Sequence, residues 1–275
     1  VQQINIIQGL DTTVLSDVAG SLSTDKVQHH INLGHLRQGR ADYSGQLAIN
    51  GKRPFALDGQ VNAVITDEHN SYTAKILGKG DLKRLNLDLS ADSSGESVQG
   101  KLDGQGNLSL QLIDGFYIHQ GHLDFKRVNP KLFWSSFPQA DLDLSLNTDQ
   151  SAAQNNSAST ERQPVQGQWS LVNHAPLTLA ELGIPIVTGQ GLFGLNDKEQ
   201  VLKDMQVALL GGGNLTGNGQ FADRKGKIDI QVNDLNLKSI YTKLLQTALD
   251  GSVVINMDAQ GQNYVGHVAQ SGQVN

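Results

Sequence analysis

Most of this chain alternates apolar and polar residues with a period of two. Leu85, Leu87 and Leu89 are spaced by Asn86 and Asp88, and Leu108, Leu110 and Leu112 by Ser109 and Gln111. The same rule governs Leu142, Leu144 and Leu146, then Met205, Val207 and Leu209, then Ile228, Ile230 and Val232, and finally Val253, Ile255 and Met257. Successive side chains of a strand point to opposite faces, so each run predicts a strand apolar on one face and polar on the other. Turn signals punctuate the runs. Asn50-Gly51 separates Leu47 and Ile49 from Phe55 and Leu57, which predicts a hairpin, and Asp58-Gly59, Asp103-Gly104, Asp114-Gly115 and Gly211-Gly212-Gly213 repeat the signal.

Helical periodicity is confined to two short pieces, near 130–137 and 240–249. Asn129 is expected to cap a helix opened by Pro130, with Leu132, Phe133, Trp134 and Phe137 turned inward. Ser239 is expected to cap a second, whose Ile240, Leu244, Leu245, Ala248 and Leu249 form one stripe. A single turn is expected near Thr178 to Leu182. The two helical pieces lie inside an internal repeat: Leu123, Phe125, Lys126, Lys131 and Leu132 recur with the same spacing as Leu235, Leu237, Lys238, Lys243 and Leu244. Each copy leads into an alternating strand. Repeats stack to bury a face that none can bury alone, so the echo predicts a modular array. Residues 149–164 have no apolar period and no large apolar side chain, which predicts a flexible loop or linker between a module over 1–148 and another over 165–275.

Composition narrows the function classes. Charged residues make up 17% and apolar residues 38%, so low hydrophobicity is not coupled to the high charge of a disordered chain. At a net charge of −6, with Lys and Arg dispersed, nothing is concentrated enough to neutralise phosphates, and nucleic-acid binding is not expected. The absence of cysteine removes disulfides, thiolate metal sites and cysteine nucleophiles together. The least polar stretch, Leu177 to Leu195, is interrupted by Glu181 and Pro185 and does not read as a membrane-spanning helix. The chain thus reads as an excised soluble segment.

Catalytic and cofactor signals are weak. Gly189, Gly191 and Gly194 match the spacing of a dinucleotide loop, but that mechanism needs a long helix afterwards, and here another alternating strand follows; a Gly-rich β-turn is the simpler reading. His29, His30 and His35 cluster, as do His119 and His122, and alternation would put His29 and His35 on one face; no carboxylate completes a metal set. Asp67, Glu68 and His69 read as a solvated turn. No nucleophile elbow or phosphate loop is present, so no catalytic, cofactor-binding or metal residue is assigned and no enzyme activity is expected.

What remains is physical. One-faced strands must bury that face against a second sheet, by closing into a barrel, or against something outside the protein. An ordinary β-sandwich core would show the same alternation. A wall of Leu, Ile and Val also suits acyl chains, because it gives dispersion contact and leaves no polar group unpaired. Each methylene kept from water contributes about 0.8 kcal/mol, so a chain of about sixteen carbons gains on the order of 10 kcal/mol in a dry groove. The six runs named at the outset are the candidate lining of such a groove.

The run from Val207 through Gly211, Leu215, Gly217 and Gly219 continues into Lys227, Ile228, Ile230, Val232, Leu235 and Leu237, then a short helix, then Leu249, Gly251 and Val253. In this order it resembles the TamB branch of the AsmA-like envelope proteins of Gram-negative bacteria. Gly45 to Gly59 and Phe125 to Leu146 are similar to modules of the same family. The resemblance implies a mainly β fold: an elongated, curved antiparallel β-sheet, a taco-like groove, with two short helices. It further implies a periplasmic segment of an inner-membrane-anchored protein that conducts phospholipid between inner and outer membrane and supports outer-membrane biogenesis. Phospholipid acyl chains are the implied partner, together with a TamA-like outer-membrane barrel reached through regions outside this segment. Membrane contact is likewise implied through anchors outside it. Two alternatives stand beside this reading: a strand-pairing chaperone for outer-membrane β-barrel proteins, and a purely structural secreted β-repeat.

Overall fold

A computed structural model describes residues 2–8, 11–66, 70–95, 101–115, 117–133, 137–148, 165–196, 199–222, 225–259 and 261–270, with the backbone alone at 5–8 and 11–13. The proposed linker at 149–164, the turn at Asp67 to His69 and Trp134 lie outside the described residues. The chain divides into two compact units, Val1–Arg127 and Val128–Asn275.

The first unit holds β1 (Gln3–Gln8), β2 (Asp11–Thr24), β3 (Gln28–Gln38), β4 (Ala41–Asn50), β5 (Ala56–Thr66), β6 (Asn70–Asp81), β7 (Arg84–Gly95), β8 (Asp103–Gln111) and β9 (Tyr117–Val128), which runs up to the boundary. The second holds α1 (Pro130–Phe133), β10 (Leu142–Thr148), β11 (Val165–Asn173), β12 (Ile186–Leu195), β13 (Glu199–Leu209), β14 (Asn214–Ala222), β15 (Lys225–Leu235), α2 (Leu237–Ile240), β16 (Leu249–Asp258) and β17 (Gly261–Gln270). Within each unit every strand pairs antiparallel with the next in sequence. The protein is therefore mainly β, with two short helices, and neither meander closes into a barrel.

Connection lengths follow local chemistry. The Asn50-Gly51 signal does mark the β4–β5 connection, where the Asn50 side chain accepts from the Lys52 N–H at 2.9 Å. At the β6–β7 turn, Asp81 Oδ1 accepts from the N–H groups of Lys83 and Arg84 at 2.7 and 3.0 Å. Such self-bonding is why Asn and Asp favour turns.

The helices differ from expectation. Each is a single four-residue turn. The second is capped by Asn236, whose side chain accepts from the Lys238 N–H, not by Ser239. The expected inward stripe does not form: Leu244 and Leu245 are 44% and 70% exposed, Leu249 belongs to β16, and Phe137 is also exposed. With one hydrogen-bonded turn, packing a stripe at helical spacing is impossible; nucleation cost outweighs propensity in so short a piece. A 3₁₀ turn at Leu179–Glu181 occupies the position where a single turn is expected.

Three aspartates share an unexpected role. Asp17, Asp204 and Asp234 have φ of 53°, 50° and 50°, and each sits where pairing register slips by an extra residue. These are β-bulges, which bend a strand and increase its local twist. Asp tolerates the left-handed region better than a branched residue does. Each lies in the same local pattern, Ser16-Asp17-Val18, Lys203-Asp204-Met205 and Asn233-Asp234-Leu235.

The buried apolar residues are Ala41, Ile65, Leu85, Ala91 and Leu102 in the first unit and Ala140, Leu142, Val165, Leu209 and Val232 in the second, mostly toward one strand end of each, with Leu85 and Val165 at the other. At the Leu142 and Leu209 end of the second unit the connections cross one another: Gln139 N–H donates to Leu182 O, His174 N–H to Asp141 O, and Leu210 N–H to Pro185 O. Asn173, itself buried, donates from Nδ2 to Ile184 O at 3.1 Å. This margin is sealed by loops; the middle of each sheet is not.

A candidate apolar binding face

Directly paired residues of antiparallel strands share a face, so the registers settle which side chains stand together. In the first unit one row runs Ile31–Leu47–Gly59–Gly78–Leu87–Leu108–Gly121, and the next runs Leu33–Gly45–Val61–Ile76–Leu89–Gly106–Leu123. A third carries Ile49, Leu57, Leu85, Leu110 and Ile118. In the second unit a row runs Leu144–Leu171–Gly189–Val207–Leu215–Val232–Gly251–Val268. Beside it stand Leu146 with Trp169, then Met205, Gly217, Ile230 and Val253, and beyond these Ile228 with Ile255. Leu142, Leu209 and Met257 fall on the same face toward the strand ends.

The structure thus brings Leu85, Leu87, Leu89, Leu108 and Leu110 onto one face of the first unit and the remaining strand runs onto one face of the second. Leu112 stands apart: β8 ends at Gln111, and Leu112 is 44% exposed with its N–H donated to Leu82 O. Alternation carried one residue too far overlooks that Gln111 ends the strand by donating from Nε2 to Ile113 O at 2.9 Å.

This face is not covered. Val61 and Ile76, directly paired in mid-sheet, are 47% and 40% exposed, and Ile31 and Leu22 at the next row are 43% and 72% exposed. A sandwich core would bury such residues almost completely. Most lining residues are instead half-buried by their own neighbours.

Glycines let large side chains lie flat on this face. Trp169 packs over Gly189 and Gly191, with its Nε1 2.9 Å from where a Cβ on Gly191 would stand. Phe125 lies over Gly104 in the same way. The Gly189–Gly194 stretch is accordingly part of β12, neither a phosphate loop nor the turn expected from its composition.

The opposite face is uncharged and polar along its central row in the second unit: Ser145–Ser170–Gln190–Gln206–Thr216–Gln231–Ser252. A depression of about 520 Å³ lies on this side, lined among others by Ser170, Thr188, Gln190, Gln206 and Thr216, with no ionisable group. It offers hydrogen bonds and no acid–base pair. His29 and His35 do not share a face. His29 pairs with Ile49 on the apolar side, while the register slip between Leu33 and Leu36 turns His35 toward Asp42, 3.5 Å away. Arg37 Nε donates to the same Asp42 carboxylate at 2.9 Å. Among the described residues no group of three His, Cys, Asp or Glu side chains is placed to hold a metal ion.

The sequence signals sufficed for most of the lining, but not for Trp169, Phe193 and Phe125, which strengthen the same face. A Gly at the cross-strand position is the signal that would have found them. No family model, curated protein or solved structure matches this chain.

Proposed function

We propose that this chain is a non-enzymatic segment of a TamB-like envelope protein whose apolar sheet faces carry phospholipid acyl chains across the periplasm. The observation that supports it is the exposure of Val61, Ile76 and their row neighbours on a face of Leu, Ile, Val and Gly with no protein layer over it. Water-exposed aliphatic surface of this extent is costly unless something apolar visits it. Repeated rows of near-equal lining also avoid a deep trap, so an acyl chain gains similar contact at each step along them.

Photocrosslinking residues placed at Leu87, Leu110, Leu144 and Ile230 are expected to label phospholipid in cells, and native mass spectrometry of the purified protein is expected to show co-purifying lipid. Protein with no lipid label at any of the four sites sinks the proposal. Asp or Arg at these positions is expected to block lipid passage, because it sets a charge into an apolar lining.

A second reading, strand pairing with unfolded outer-membrane β-proteins, draws on β17. That strand pairs with β16 over ten residues without a slip and contains no Lys, Arg, Asp, Glu or Pro, the residues that disfavour pairing with an added strand. Val265→Lys would remove strand capture under this reading and leave lipid labelling intact under the first.

A further inference from the structure

The connection between β15 and β16 carries exposed apolar side chains on a rigid base. Its ends are clasped: Thr247 Oγ1 donates to Leu235 O at 2.8 Å and accepts from Leu237 N–H at 2.9 Å, while Asn236 Oδ1 accepts from the N–H groups of Lys238 and Thr247 at 3.2 and 3.4 Å. Inside the clasp, Tyr241 N–H donates to Leu237 O and Leu244 N–H to Tyr241 O, both at 2.9 Å. A loop closed and filled in this way displays its tip in a fixed place. The tip displays Leu244 at 44% and Leu245 at 70% exposure.

The charge on this loop has one sign. Lys238 and Lys243 are both exposed, and no Asp or Glu occurs from Asn236 to Ala248. The protein as a whole is at −6, so the loop stands out against its own background. Two adjacent leucines preceded by two lysines on an ordered loop are the composition of an interfacial element: the aliphatic tips enter the acyl boundary while the ammonium groups stay among phosphates. These residues also belong to the internal repeat, whose other copy keeps Lys131 exposed in the α1 connection.

We propose that the Asn236–Ala248 connection is a contact site for an anionic lipid bilayer, with Leu244 and Leu245 inserted and Lys238 and Lys243 paired to lipid phosphates. It is independent of the conduit reading, because none of these four residues lies on the apolar rows.

The test is flotation of the purified protein with phosphatidylcholine vesicles, with and without an equal part of phosphatidylglycerol. The wild-type protein floats with the mixed vesicles and not with phosphatidylcholine alone. Leu244→Asn combined with Leu245→Asn weakens flotation by about tenfold or more. Lys238→Gln with Lys243→Gln weakens it at low salt and leaves a salt-insensitive remainder. All four positions are exposed, and an unchanged unfolding midpoint establishes that the variants fold. Ile230→Asp, a test of the conduit, leaves flotation unchanged. Wild-type protein that does not float, or a leucine double variant that floats as well as wild type, overturns the proposal. Flotation abolished by Ile230→Asp but kept in the leucine double variant overturns it too, and assigns membrane contact to the sheet face.

Discussion

Trp169 of β11 spreads its indole across Gly189 and Gly191 of β12, closing to within about 3 Å of the space a side chain would need at either position. At Gly191 the Lys203 carbonyl oxygen and Met205 Cα each stand 3.2 Å from the same point, so the site is hemmed by backbone as well as by the ring. Gly191→Val is expected to destabilise the protein by about 1–3 kcal/mol, as an overpacked position does. Urea unfolding measures it. The chain has two tryptophans, so Trp134→Phe leaves Trp169 as the single emitter, and its fluorescence is expected to shift to the blue when a lipid occupies the face.

Leu209 and Val61 stand on apolar faces of the two units but in different surroundings. Leu209 is 7% exposed at the loop-sealed margin, and Val61 is 47% exposed in mid-sheet. Leu209→Ala is expected to cost about 2–3 kcal/mol through transfer and cavity terms. Val61→Ala is expected to cost less than about 1 kcal/mol, since nothing packs above it. Equal losses in chemical unfolding would mean that the mid-sheet face is covered in solution.

At Asp234 the backbone has φ of 50° and the strand register slips between Val232 and Leu235. Asp234→Gly is expected to be neutral or mildly stabilising. Asp234→Val is expected to cost about 1–2 kcal/mol, because a branched side chain is poorly accommodated in left-handed backbone. The difference between the two variants in thermal or urea unfolding isolates backbone conformation from the loss of the carboxylate.

Glu181 Oε2 accepts from the Thr178 hydroxyl at 2.8 Å and from the Thr178 N–H at 3.0 Å. The hydroxyl bond first, and the backbone bond after it, hold the carboxyl below its ordinary value of 4.5. A depressed folded-state pKa stabilises above the unfolded value and is lost as pH falls through the folded one. Stability measured from neutral pH down into the acid range is therefore expected to fall more steeply in wild type than in Glu181→Gln, with the two curves converging at the acid end. Parallel curves would show that this interaction contributes no linkage.

Much of the sheet was legible because burial of one face imposes a period of two. Leu85–Leu87–Leu89 and Ile228–Ile230–Val232 sit on the strands and the face that alternation requires. The helices were less legible: the stripe from Ile240 to Leu249 has helical spacing, yet the chain leaves the helix at Tyr241 because the Asn236–Thr247 clasp fixes a loop there. Contacts across twelve residues of chain leave no periodic trace. The bulges escaped for another reason. A single Asp breaks no pattern by itself, but Met205 resumes the apolar face after Lys203 and Asp204, so parity changes without a gap. Whether the face is roofed by another layer was not readable either, since a sandwich and an open sheet share one alternation.

Pairing of each strand with its sequence neighbours has a consequence for how such a protein changes size. Inserting a whole hairpin adds two strands, or about 10 Å of sheet width, and leaves every later strand running in its former direction. Loss of a single strand would instead reverse all that follow and carry the sealing loops to the opposite margin. Width is therefore quantised in hairpins, and the extent of the apolar face is set by counting turns in the sequence.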